Sequence, residues 1–173
     1  MGSERPVRKN MTESRPFALT TCALLTALAL IVSYIEFLLP LSIGLPGIKL
    51  GLANIVVVLA LYYLGPRYAL LVNVLRIALV ALLFGSLFSG LYALAGGLFS
   101  LAVMVLLART DRFSLTAVSM TGGAAHNLAQ LAVAAVIASN SNVFLYLPVL
   151  FAAGMLTGIF NGIVCTLVLR RLK

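Results

Sequence analysis

The sequence predicts an all-α integral membrane protein, a six-transmembrane-helix bundle built as one domain. Three observations carry that prediction. Of its 173 residues 62% are hydrophobic and only 9% are charged, whereas soluble domains carry about 25% charged residues. The apolar residues come in runs near the roughly 20 residues needed to cross a bilayer. The basic residues gather at every second turn between those runs, which is the positive-inside pattern. Six runs with short connections use nearly the whole chain. Residues 17–173 are therefore expected to form a single transmembrane domain, preceded by a polar, disordered cytoplasmic stretch over residues 1–16.

The first run, about Phe17–Leu39, follows the charged opening Met1–Arg15 as a signal-peptide core would. It is too long for such a core and lacks a small-residue cleavage site, so it reads as a retained helix. Pro16 suits the first turn of that helix, and Pro40 ends it. Ala23 and Ala27, four apart, would let another helix approach closely. The segment Pro40–Gly47, with its prolines, glycines and serine, reads as a loop or re-entrant turn folded against the bundle.

The second span is expected over about Ile48–Leu64, ended by Gly65-Pro66-Arg67, and the third over about Tyr68–Phe88. Gly85–Gly90 makes an uncharged turn before the fourth span, about Leu91–Ala108, and Arg109–Ser114 is a polar turn. The fifth span, about Leu115–Ala138, holds the densest polar cluster, Thr121 to Gln130. Ser139–Asn142 turns the chain into the last span, about Phe144–Leu169, whose Gly154, Gly158 and Gly162 make a flat stripe for a neighbouring helix. Counting alternate sides puts Met1–Arg15, Gly65–Arg67, Arg109–Arg112 and Arg170–Lys173 together. Both termini are thus expected in the cytoplasm of a multi-pass cell-membrane protein.

The formal net charge of +8 does not point to nucleic acid, because the basic residues are spread over turns rather than gathered on a solvated face. Cys22 and Cys165 lie in different apolar runs and read as small buried thiols.

Polar residues inside spans carry the functional signal, since each costs free energy in lipid unless it is paired, hydrated or bound to a ligand. Arg76 is the sharpest. Either it pairs with Glu36, the only carboxylate expected within the bundle, or it binds an anionic or carbonyl-bearing ligand, for which its donor fork is suited. Lys49 stands at the mouth of the second span, where it could reach the interface or contact a ligand. Asn54 and Asn73 put amides on the same two helices as those cations. His126 and Gln130 share a face of the fifth helix with Asn127 beside them. Several helices therefore present polar groups at similar depth. The chain has no paired carboxylates for magnesium, no phosphate-binding glycine loop with lysine and no cluster of metal ligands, so neither catalysis, a metal nor a cofactor is expected.

The residues Pro46-Gly-Ile-Lys-Leu-Gly-Leu-Ala-Asn54, the pair Asn73 and Arg76 with the later Phe84-Gly85, the stretch from Gly96-Gly97 through Ser100 to Met104, and Gly122-Gly123 with His126, Asn127 and Gln130 look like one family. The chain from about Phe17 onward resembles heptaprenyl diphosphate synthase component I, also called Gx transporter proteins. That family is similar to the substrate-binding S components of energy-coupling factor transporters. The resemblance implies a six-helix protein that captures a small molecule from outside. On the reading of the polar residues themselves, Lys49, Asn54, Asn73, Arg76, His126, Asn127 and Gln130 are expected to line the site and Pro40–Gly47 to gate it. The resemblance also implies docking through Ala23 and Ala27 to a coupling transmembrane subunit, powered by ATPase subunits, with membrane lipid around the bundle. A prenyl synthase needs aspartate-rich magnesium sites, and Asp111 is the only aspartate in the chain. The other reading is a non-catalytic membrane accessory subunit for isoprenoid or quinone synthesis or for a membrane redox pathway.

Overall fold

Helix–helix packing without any strand is what the computed structural model shows throughout the residues it describes, which are 15–38, 51–85, 87–139 and 141–172. The helices are α1 (Arg15–Leu38), α2 (Ala53–Tyr63), α3 (Pro66–Leu83), α4 (Leu87–Arg109), α5 (Leu115–Ala138) and α6 (Leu147–Leu172). A 3₁₀ turn, Ser141–Tyr146, leads into α6. Consecutive helices from α2 to α6 pack on one another and α6 returns to α2, so these five close a ring, while α1 lies against α2 and α3.

Four segments are long and apolar enough to cross a membrane: Arg15–Leu38, Pro66–Leu83, Phe88–Arg109 and Asn142–Leu172. The outer surface matches, with Leu24, Leu82, Phe88 and Leu145 all exposed. In water such a surface would aggregate; in lipid it costs nothing. The protein is a multi-pass membrane helical bundle.

The other two helices differ from the expected even set of spans. α5 keeps its expected bounds, and its length of 24 residues would suffice, yet its polar cluster holds it below the apolarity of the other four. α2 has only 11 residues, about 16 Å at 1.5 Å per residue against a hydrocarbon core of about 30 Å. Its described helix begins at Ala53 rather than Ile48. Gly51, with φ +64°, takes the chain into it through a left-handed residue. What α2 lacks in length it has in burial: every residue from Val56 to Tyr62 is buried, as expected for a helix apolar on all sides. It is the core element of the bundle.

Local chemistry fixes the other ends. Gly65 at φ +98° and Pro66 in the first position start α3. Phe84 and Gly85 both donate their amides to the Val80 carbonyl, which stops α3 short of the expected Phe88. Ser114 caps α5 by accepting from the Ala117 amide at 3.2 Å. Pro148 falls in the first turn of α6, where its missing N–H has no helical acceptor to lose.

The glycine stripe of α6 packs against α5, within the bundle. A Cβ at Gly158 would come within 2.5 Å of the Ser119 carbonyl oxygen, one at Gly162 within 2.6 Å of Thr116 Cα, and one at Gly154 within 2.5 Å of the Gly123 carbonyl oxygen. Cys22 and Cys165 are buried on α1 and α6 and are not joined in a disulfide.

Candidate functional site

Late α1, early α2, late α3, early α4, the middle of α5 and the middle of α6 meet around a cavity of about 510 Å³. That volume lies in the range of small-molecule sites, about 300–1,000 Å³. The chain reverses at each connection, so these segments share one end of the bundle. Arg15, Arg67, Arg109, Arg170 and Arg171 fall at the opposite helix ends.

Gly51 is the point where three segments are joined. Its amide donates to Glu36 Oε1 from the end of α1. Its carbonyl accepts from the Asn54 amide at 3.0 Å and from Asn161 Nδ2 of α6, also at 3.0 Å. A carbonyl can only accept, so the Asn161 amide must turn its nitrogen to Gly51 and its Oδ1 the other way. That Oδ1 is buried and has no hydrogen-bond partner, on a residue that is only 2% exposed.

Arg76 enters from α3. Its Nη2 donates to Asn73 Oδ1 at 3.0 Å, one turn earlier on the same helix, while its buried Nε has no hydrogen-bond partner. Arg76 and Glu36 both line the cavity, yet they form no direct ion pair; each is held by a neutral group instead. A guanidinium at the centre of a span costs about 3 kcal/mol on insertion scales, so its placement beside a polar cavity is what makes it tolerable.

His126, Asn127 and Gln130 form the α5 wall, with Asn127 Nδ2 donating to the Leu150 carbonyl of α6 at 2.7 Å. The adjacent pair Gly96-Gly97 makes room for both neighbours of α4. A Cβ at Gly96 would meet Gln130 Cγ at 2.8 Å and His126 Cε1 at 3.0 Å, and one at Gly97 would meet Asn73 Nδ2 and Ile77 Cδ1, each at 2.9 Å. Two glycines thus allow polar side chains of α5 and α3 to lie against α4 with no methyl between. The apolar part of the wall is formed by Phe37, Ile77, Val80, Ala81, Phe84 and Ala93. The Phe84 ring lies 5.4 Å from that of Tyr34 and 5.9 Å from that of Phe37, so an aromatic group spans α1 and α3 beside the polar side.

The structure brings five of the sequence-predicted residues to one cavity: Asn54, Arg76, His126, Asn127 and Gln130. Asn73 is not among the wall residues. It is 1% exposed and stands behind Arg76, where it orients the guanidinium rather than contacting the cavity. Lys49 and the Pro40–Gly47 segment lie outside the described residues. Ala23 and Ala27 are on the exposed face of α1, turned away from the buried Cys22, Thr26, Ala29 and Ser33.

Asn161, Thr157, Ser33 and Ser89 also line the cavity. Asn161 carried a legible signal, as the only side-chain amide in α6, but it sits between Gly158 and Gly162 and was masked by the packing stripe they form. Ser33 and Thr157 gave none, because hydroxyls in membrane helices usually bond their own backbone, as Thr26 does to the Cys22 carbonyl at 2.8 Å. Among the described residues no three His, Cys, Asp or Glu side chains come together as metal ligands would.

The family model described as heptaprenyl diphosphate synthase component I matches residues 25–168 of the chain. No curated protein and no solved structure matches it.

Proposed function

Because the chain belongs to the heptaprenyl diphosphate synthase component I family, we propose that it is the substrate-capture membrane subunit of an importer of the energy-coupling factor type. The observation that carries this reading is the cavity itself. All six helices contribute to it, polar side chains of five of them line it beside Arg76, and it occupies the end of the bundle opposite the arginines at the helix ends. By the positive-inside rule that basic end is cytoplasmic and the cavity faces outward, which suits capture of a small anionic or polar-headed molecule. The role proposed is binding rather than catalysis: among the described wall residues the one carboxylate, Glu36, is held by the Gly51 amide.

An importer subunit of this kind needs a coupling membrane subunit and two ATPases, which the chain would meet through the exposed Ala23–Ala27 face of α1. Two measurements test the reading. Native mass spectrometry of gently purified protein should find a co-purified small molecule that is lost in Arg76→Ala with the helical fold retained. An Ala23→Leu plus Ala27→Leu protein should keep its own thermal stability, since both side chains are exposed, yet lose co-purification with the coupling subunit. Normal assembly of that double variant counts against the docking face.

The family's description favours a second reading, a non-catalytic membrane accessory subunit serving isoprenoid synthesis. That role requires stable association with a soluble prenyl synthase and no released small ligand, so the same purification separates the two.

A further inference from the structure

Resting on the capture reading, we propose that the molecule taken by this cavity is a small zwitterion: an amino-carboxylate with an apolar body. Its carboxylate would be held by Arg76, and its ammonium would lie between Glu36 and Asn161 Oδ1.

The argument starts from what the wall leaves unanswered. Arg76 Nε is a buried donor and Asn161 Oδ1 a buried acceptor, each without a partner and each on a residue that lines the cavity; the Ser33 hydroxyl, which can serve as either, is also unpartnered there. The Gly51 carbonyl can only accept, so it fixes the Asn161 nitrogen on its own side and leaves Oδ1 on the other. A ligand with acceptors alone, such as a bare carboxylate or a phosphate ester, would satisfy Arg76 and leave Asn161 and Glu36 facing more negative charge. A plain amine would do the reverse. Buried polar groups left unpaired cost more than the same groups in water, so the wall selects a ligand that carries both functions.

Charge gives the same answer independently. Arg76 and Glu36 share the cavity without bonding to each other. Among the described residues the ionisable wall groups are Glu36, Arg76 and His126, so their net charge is at most one positive even with His126 protonated. A diphosphate, with its several negative charges, is poorly matched by such a wall, whereas a zwitterion adds no net charge to a low-dielectric site. The apolar body has a place as well. Phe37, Ile77, Val80 and Phe84 line the cavity, and the Tyr34 ring lies tilted against that of Phe84.

The test uses the full chain in lipid nanodiscs and a matched set of probes: L-phenylalanine, 3-phenylpropanoate, phenethylamine and geranyl diphosphate, with L-leucine, L-methionine and L-tryptophan as further zwitterions. Thermal unfolding followed by circular dichroism reports binding. At least one zwitterion is expected to bind the native chain tenfold or more tightly than either single-charge analogue and than the diphosphate. Glu36→Gln should then remove the preference over 3-phenylpropanoate, and Arg76→Gln the preference over phenethylamine, in proteins whose helicity is checked first. The native-chain comparison stands even where a variant fails to fold. Tighter binding of 3-phenylpropanoate or geranyl diphosphate overturns the inference and leaves the capture reading in place. Failure of every zwitterion to bind also overturns it, and the capture reading is then decided separately by the co-purified mass.

Discussion

Asn161 of α6 donates to the carbonyl of Gly51, 110 residues earlier in the chain, at 3.0 Å. The same glycine donates its amide to Glu36, so a single backbone unit ties the end of α1 to the start of α2 and the middle of α6. Substitution of Asn161 by Leu is expected to cost about 1 kcal/mol of stability, the scale of an interhelical hydrogen bond in lipid. Asn161→Asp should cost more, because it sets a carboxylate against a carbonyl. Unfolding titrations in mixed micelles would rank the two, and a milder effect of Asp would refute the assigned geometry.

Gly51 itself is demanded by backbone conformation rather than by space. Its φ is +64° and a Cβ there would meet nothing within 4 Å. Gly51→Val should therefore destabilise by roughly 2 kcal/mol and Gly51→Asn by clearly less, since Asn tolerates the left-handed region and Val does not. Equal losses in the two variants would show that bulk matters at this position.

Asn73 separates contact from orientation. It does not line the cavity, yet it is the acceptor that fixes Arg76. Hydrogen bonds to charged groups are worth about 1.5–3 kcal/mol, so Asn73→Ala should weaken ligand binding by tenfold or more, as measured by calorimetry on the purified protein. Unchanged affinity with a normal fold would remove Asn73 from the site altogether.

Two glycines of similar tightness should behave differently. A Cβ at Gly158 would press on Ser119 and Met120 backbone, at 2.5 Å and 2.7 Å, which cannot yield. At Gly96 the nearest atoms belong to the Gln130 and His126 side chains, which can. Gly158→Ala is expected to lower stability by about 1–3 kcal/mol through overpacking. Gly96→Ala should cost less stability but displace the α5 wall and reduce binding. Paired unfolding and binding measurements would expose the crossover, and a larger stability loss at Gly96 would contradict it.

The sequence by itself determined that this is a helical membrane protein, roughly where its chain breaks fall, and that its interior is polar. Apolar runs of membrane length, proline and glycine at the breaks and arginines at alternate turns are local signals, each readable without knowing what lies beside it. It also marked Asn54, Arg76, His126, Asn127 and Gln130, because a polar group in an apolar run is conspicuous wherever it points.

Tertiary structure decided what those groups do to one another. The open alternative for Arg76 was a pair with Glu36 or a ligand. The fold gives Glu36 to the Gly51 amide and Arg76 to Asn73, leaving the two charges facing a shared cavity without a bond between them. Only the packing of α6 on α5 turned Asn161 from one residue in a glycine stripe into part of the wall. Only burial on every side showed that α2, too short to span a membrane, packs inside the bundle against α1, α3 and α6. Pairing across helices depends on which faces meet, and a run of apolar residues looks the same whether it faces lipid or another helix.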